Sequence, residues 1–105
     1  MIEVDGEEDL NQVLKTQNYV YVLFYATWCP FSQRFLPIYT KCTAKHSTMC
    51  VRIAVDSMPQ LCDEYRIEVY PTVILFADGK VAKRLDGVHG EGLSEGQLRG
   101  LLETR

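Results

Sequence analysis

The residue best able to do chemistry in this sequence is Cys29, in the segment Trp28-Cys29-Pro30-Phe31-Ser32. It follows the nearly unbroken apolar run from Val20 to Ala26. It precedes Phe31, Phe35, Tyr39, Cys42 and His46, which recur at helical spacing. A cysteine between a buried strand and the first turn of a helix meets unpaired N–H groups and the positive end of the helix dipole, and both favour a thiolate. A thiolate is the nucleophile of disulfide exchange. Cys29 is therefore expected to be an exposed, reactive thiol, with Trp28 and Pro30 shaping a small apolar platform around its sulfur. One helical turn further on stands Ser32. Its hydroxyl cannot displace a sulfur at neutral pH, but it can donate a hydrogen bond to a thiolate.

The other three cysteines read differently. Cys42 lies on the helical stripe, Cys50 at the start of an apolar run and Cys62 on the apolar face of a short helix, so all three are expected as reduced core residues. A Cys42–Cys50 disulfide is the alternative, because the helix end and the next strand start are close in sequence. The spacing of the four lacks the short paired intervals of a zinc site, and four in a chain of this size is no disulfide scaffold. No metal or cofactor is expected.

The elements that must position Cys29 follow from periodicity. Ile2 to Val4 reads as a short strand, and Glu7 to Lys15 as a helix with Leu10, Val13 and Leu14 on one face. Val20 to Ala26 reads as a strand buried on both faces. A long helix opens after Cys29, with a bend expected at Pro37. Val51 to Val55 is a second buried strand, and Ser57-Met58-Pro59 starts a short helix carrying Leu61, Cys62 and Tyr65. Thr72 to Phe76 and Val81 to Leu85 flank Ala77-Asp78-Gly79-Lys80 as a hairpin. Ser94-Glu95-Gly96-Gln97 is a capping box ahead of Leu98, Leu101 and Leu102. The order β-α-β-α-β-α-β-β-α predicts an α/β fold, a central mixed sheet with helices on both faces.

At this point the sequence resembles the thioredoxin superfamily. Phe24 to Ser32 matches its active-site segment, Pro37 the proline of its active-site helix, and Tyr70-Pro71-Thr72 its cis-proline loop. Asp78-Gly79-Lys80 and Gly87 match its closing hairpin and the loop beyond. Phe24-Tyr25-Ala26 and the segment Leu61 to Ile67 are similar to the protein disulfide isomerase branch. The Cys-x-Phe-Ser form resembles monothiol retention proteins of the endoplasmic reticulum and reductase-like membrane proteins of plants. The resemblance implies a thioredoxin fold and a site of Cys29 and Ser32 with a client-binding platform of Trp28, Pro30, Phe31, Tyr70, Pro71 and Gly87. It also implies that the loop at Pro71 packs against the active sulfur and pairs with an extended client chain.

Two departures from the family pattern bear on mechanism. The resolving cysteine is replaced by Ser32, and the family's buried acid, which serves that cysteine, falls at Leu23. The joint loss points to a natural monothiol site, since an engineered trap would have kept the acid. Arg52 aligns with a basic residue near that acid; it is read either as support for the Cys29 thiolate or as an exposed strand-end charge. His89, in the loop Gly87 to Gly92, is expected in solvent, with a gate or pH sensor as the alternative. His46 is expected as a cation at the negative end of the long helix.

The chain has 105 residues, expected as one domain over 1–105, and its 47% hydrophobic content suits a real core. A net charge of −3 with 11 unclustered basic residues argues against nucleic acid and against anionic membrane as partners. No apolar run is long enough to span a bilayer, and the N-terminus lacks a signal-peptide pattern. The compartment is not legible from the cysteines; the resemblance points to the secretory pathway. The leading expectation is a monomeric, monothiol exchange protein that forms mixed disulfides with cysteine-containing clients or glutathione through Cys29. A non-catalytic client-binding module is the alternative. Iron–sulfur binding, as in monothiol glutaredoxins, is a remote third, because Pro30 stands where their motif has glycine.

Overall fold

The computed structural model describes residues 2–103. Five strands and four helices run β1 (Ile2–Val4), α1 (Gly6–Thr16), β2 (Tyr19–Tyr25), α2 (Pro30–Thr43), β3 (Met49–Ala54), α3 (Pro59–Tyr65), β4 (Thr72–Ala77), β5 (Lys80–Leu85) and α4 (Glu95–Glu103). The strands form one sheet in the order β1-β3-β2-β4-β5. β1, β3 and β2 are parallel, while β4 and β5 are antiparallel to their neighbours, which is the mixed sheet the hairpin requires.

Strand β2 sits at the centre, and its two faces build two cores. Val20, Val22 and Phe24 point toward Leu10 and Leu14 of α1 and Leu61 of α3. Tyr21, Leu23 and Tyr25 point toward Phe35 and Tyr39 of α2 and Leu98, Leu101 and Leu102 of α4. This is the physical reason the run is apolar without alternation. The β4–β5 turn places Asp78 and Gly79 at φ 52 and 82, the left-handed pair that matches the twist of a two-residue hairpin. Helix α4 opens with the reciprocal bonds of a capping box: Gln97 N–H donates to Ser94 Oγ, and Ser94 N–H to Gln97 Oε1 at 2.9 Å.

Helix α2 runs through Pro37 and ends at Thr43, whose hydroxyl bonds back to the Tyr39 carbonyl at 2.7 Å. His46 therefore lies beyond the helix and does not act as its terminal cation. Thr48 N–H donates to its Nδ1 and its Nε2 faces the Leu102 carbonyl at 3.3 Å, so the imidazole ties the α2–β3 loop to α4 with one nitrogen accepting.

Candidate active site

Cys29 is the N-cap residue of α2, in extended backbone at φ −84 and ψ 121, with Pro30 beginning the helix. Its N–H donates to the Ala26 carbonyl at 3.2 Å and its carbonyl accepts from Gln33 N–H at 3.0 Å, so the backbone around the sulfur is fixed from both sides. The expectation of an exposed thiol needs correction: the residue is only 7% exposed. What stands out into solvent is Trp28, 65% exposed. The turn before it is held by Asp56, which accepts from both the amide and the hydroxyl of Thr27, and by Gln33, whose side chain donates to the Thr27 carbonyl. These bonds hold the Asp56 carboxyl below the usual carboxylate range.

Ser32 is fully buried, and its Oγ accepts from Ala26 N–H at 3.3 Å. With that bond accepted, the hydroxyl still carries a hydrogen it can donate.

The second wall comes from far along the chain. The Tyr70–Pro71 peptide is cis, and Pro71 is buried. The Tyr70 ring meets Trp28 edge-on at 6.0 Å, and its hydroxyl lies 3.5 Å from the Cys62 sulfur. Burial, reinforced by that contact, pushes the phenol up to about 12. Gly87 closes this wall, since a Cβ there would meet the Pro71 carbonyl oxygen at 2.5 Å and the Val69 side chain at 3.1 Å. A backbone oxygen cannot swing aside as a side-chain tip can. Gly87→Ala is accordingly expected to lower stability by about 1–3 kcal/mol, and a denaturant melt unchanged from wild type would show that the loop yields freely.

The third wall is the loop from Val88 to Gly92. Val88 and Gly92 exchange backbone hydrogen bonds, and Arg34 donates to the Glu91 carbonyl while its guanidinium lies 5.4 Å over the Phe31 ring. Gly92 has φ +77, and an added Cβ would meet the Phe31 Cβ at 2.9 Å.

The thioredoxin family model matches residues 1–97. The chain belongs to the thioredoxin family. Relatives include a thioredoxin of Mycoplasmoides gallisepticum, 35% identical, with the match covering 83% of this chain and 88% of that one. Chloroplastic thioredoxin Y2 of Arabidopsis thaliana is 43% identical over 65% of this chain. The chain spans under half the length of the two chloroplastic Arabidopsis thioredoxins it matches, 42% and 48%. Endoplasmic reticulum resident protein 44 of Mus musculus is 32% identical over 73% of this chain and 21% of its own. Plasmodium falciparum thioredoxin superposes with a TM-score of 0.86 at 21% identity, covering 98% of this chain and 97% of that one, which establishes the thioredoxin fold.

In this thioredoxin-family chain the fold brings together Trp28, Cys29, Ser32 and Phe31 on one side, and Tyr70, Pro71 and Gly87 on the other. Arg52 is not among them. It is the register partner of both Leu23 and Glu3, and it bonds the Glu3 carboxylate at 2.7 Å. The Tyr25 hydroxyl donates to the same carboxylate. Both readings of Arg52 are corrected: it is a half-buried partner of a β1 acid. His89 is exposed. All four cysteines are free, and Cys50 Sγ faces the Thr48 carbonyl instead of Cys42. Among the described residues no three His, Cys, Asp or Glu side chains gather as a metal ion would require, and no helix is long and apolar enough to cross a membrane.

Sequence reading missed Asp56, Arg34, Gly92 and the Cys62–Tyr70 contact. The register of β2 on β3 ends at Tyr25 opposite Ala54, so the residues just beyond, Thr27 and Asp56, share one sheet edge. That signal was available once the two strands were paired.

Proposed function

We propose that this thioredoxin-family chain is a monothiol thiol–disulfide exchange protein that works through Cys29. The observation carrying this reading is the pairing of a helix-capping cysteine with a fully buried serine one turn on, where an internal resolving thiol would stand. The Cys29 thiolate attacks one sulfur of a client disulfide. The client S–S bond breaks, a Cys29–client S–S bond forms, and the second client sulfur departs with the electron pair. With a hydroxyl at position 32 the mixed disulfide waits for an outside thiol. Extended clients and glutathione both suit this chemistry.

The test is incubation with oxidised glutathione followed by intact mass and peptide mapping. One adduct is expected on Cys29, and none in Cys29→Ser. An adduct that survives Cys29→Ser overturns the reading. Cys50 should stay unmodified, because burial pushes its thiol up to about 12, leaving about one part in 10⁵ as thiolate at pH 7.

A second reading, a client-holding module without turnover, is favoured by the exposed Trp28 and Val88 around a buried sulfur. It requires that clients bind equally well to Cys29→Ser.

A further inference from the structure

Asp56 lies just past β3, exposed, and its carboxylate accepts from the Thr27 amide at 3.0 Å and from the Thr27 hydroxyl. These bonds hold the carboxyl below the usual carboxylate range, so it is ionised at neutral pH. The salt bridges of the described residues join Lys41 and Arg99 to Glu95, Arg52 to Glu3 and Arg84 to Asp86, and none of them reaches Asp56. Arg52, the cation of β3, is engaged by Glu3 at 2.7 Å. Thr27 stands two residues ahead of Cys29, so the reach of the chain keeps the carboxylate within roughly 12 Å of the Cys29 Cα. Between Thr27 and Cys29 is Trp28, 65% exposed, with its ring edge-on to Tyr70. The Tyr70 phenol, raised first by burial and by the Cys62 contact, also feels the charges of Asp56 and of Cys29. The carboxylate and the thiol therefore share one electrostatic neighbourhood. The loop wall carries one exposed charge of each sign, Arg34 and Glu91, which leaves Asp56 to tip the balance.

We propose that Asp56 is a specificity-determining residue of the exchange site, favouring disulfides that carry positive charge beside the reacting sulfurs and slowing anionic ones such as oxidised glutathione. This rests on the reading of Cys29 as the exchanging thiol. The covalent step is the exchange given above: the Cys29–client bond forms, the client S–S bond breaks, and the departing thiolate keeps the electron pair and takes its proton from water. Asp56 takes no part in that step. It acts on approach, by attracting or repelling the charge that the client brings to the site. At about 10 Å in a water-like medium, one pair of unit charges changes a rate about twofold, so a client half with one positive charge gains about fourfold over one with one negative charge. The client class that fits is an extended chain with lysine or arginine next to its cysteine.

The experiment measures the rate of Cys29 adduct formation on the full chain with three small aliphatic disulfides: cationic cystamine, neutral bis(2-hydroxyethyl) disulfide and anionic oxidised glutathione. Asp56→Asn removes the charge and keeps both contacts, because the new amide can accept from the Thr27 N–H and donate to the Thr27 hydroxyl. Dividing each rate by that of the neutral disulfide cancels any change in Cys29 itself. At low ionic strength Asp56→Asn is expected to lower the cystamine ratio about twofold and to raise the glutathione ratio about twofold. Thr27→Val, which loses the hydroxyl contact and keeps the charge, should retain the wild-type ratios. At about 1 M salt, where the Debye length falls to ~3 Å, wild type and Asp56→Asn should converge. Unchanged ratios in Asp56→Asn, a difference that survives high salt, or ratios that move as far in Thr27→Val overturn the proposal, and the Cys29 reading stands in each case. Reaction that persists in Cys29→Ser overturns that reading and the proposal together.

Discussion

Leu23→Asp is expected to make the stability of this domain strongly dependent on pH, and to leave it close to unfolding at neutral pH. Leu23 is fully buried in the central strand, between register partners Arg52 and Val73, within the core that holds Phe35, Tyr39 and Leu98. Losing its burial removes about 2 kcal/mol. A carboxyl group in that place is desolvated, so its folded-state pKa rises above the unfolded value of about 3.9. Such a group is best tolerated protonated. Its penalty is smallest below the unfolded pKa and grows as pH rises to the folded one, because there the unfolded chain releases a proton that the folded chain keeps. A shift of about two to three units adds roughly 3–4 kcal/mol by neutral pH, a large part of the 5–15 kcal/mol typical of a whole domain. Arg52 is the one cation across the ladder, and it is already bonded to Glu3 at 2.7 Å. Urea melts of wild type and Leu23→Asp at about pH 4.5 and pH 7.5 check this. A stability difference that stays the same at both pH values would mean that Arg52 leaves Glu3 and meets the new carboxylate as an ion pair.

The sheet and its helices were legible because each is written in a period. The run from Val20 to Ala26 admits only a strand covered on both sides, and the stripe from Phe31 to Tyr39 only a helix packed on one face. The place of Cys29 was legible for the same reason, since a strand end and a helix start fix the N-cap residue between them. Its burial was not, because the wall beside it is built by chain segments distant in sequence, such as Tyr70 against Trp28, and no period reports on such approaches. Arg52 was misread for a related reason. The resemblance supplies the partner that Leu23 has displaced, but the replacement, Glu3, lies on a three-residue edge strand whose register no sequence pattern specifies. His46 keeps helical spacing with Cys42 yet lies past the end of α2, where its ring bonds to Thr48 and Leu102 decide its role.

Ser32→Cys is expected to restore an internal resolving thiol that works slowly and improves as pH rises. The new sulfur would stand one turn from Cys29, at a site with no solvent exposure where the present Oγ accepts from Ala26 N–H. Only a thiolate attacks the mixed disulfide. Burial favours the neutral thiol, and no acid stands at position 23 to take its proton. Below its pKa, each pH unit changes the thiolate fraction about tenfold, so the lifetime of the glutathione adduct in Ser32→Cys should shorten about tenfold per unit between roughly pH 6 and pH 8. On the monothiol reading proposed above, the wild-type adduct should persist across that range when no free thiol is present. Adding Leu23→Asp supplies a proton acceptor in the same core, and the double variant should release glutathione faster than Ser32→Cys at pH 7, provided that it is still folded there. Following adduct decay by mass spectrometry in the three proteins separates the contributions. If Ser32→Cys alone clears its adduct rapidly with a flat pH profile, deprotonation is not limiting, and the absence of an acid at Leu23 is unrelated to the serine at 32. If decay steepens with pH and the added carboxyl flattens it, the two positions form one functional unit, and this site lacks both of its parts.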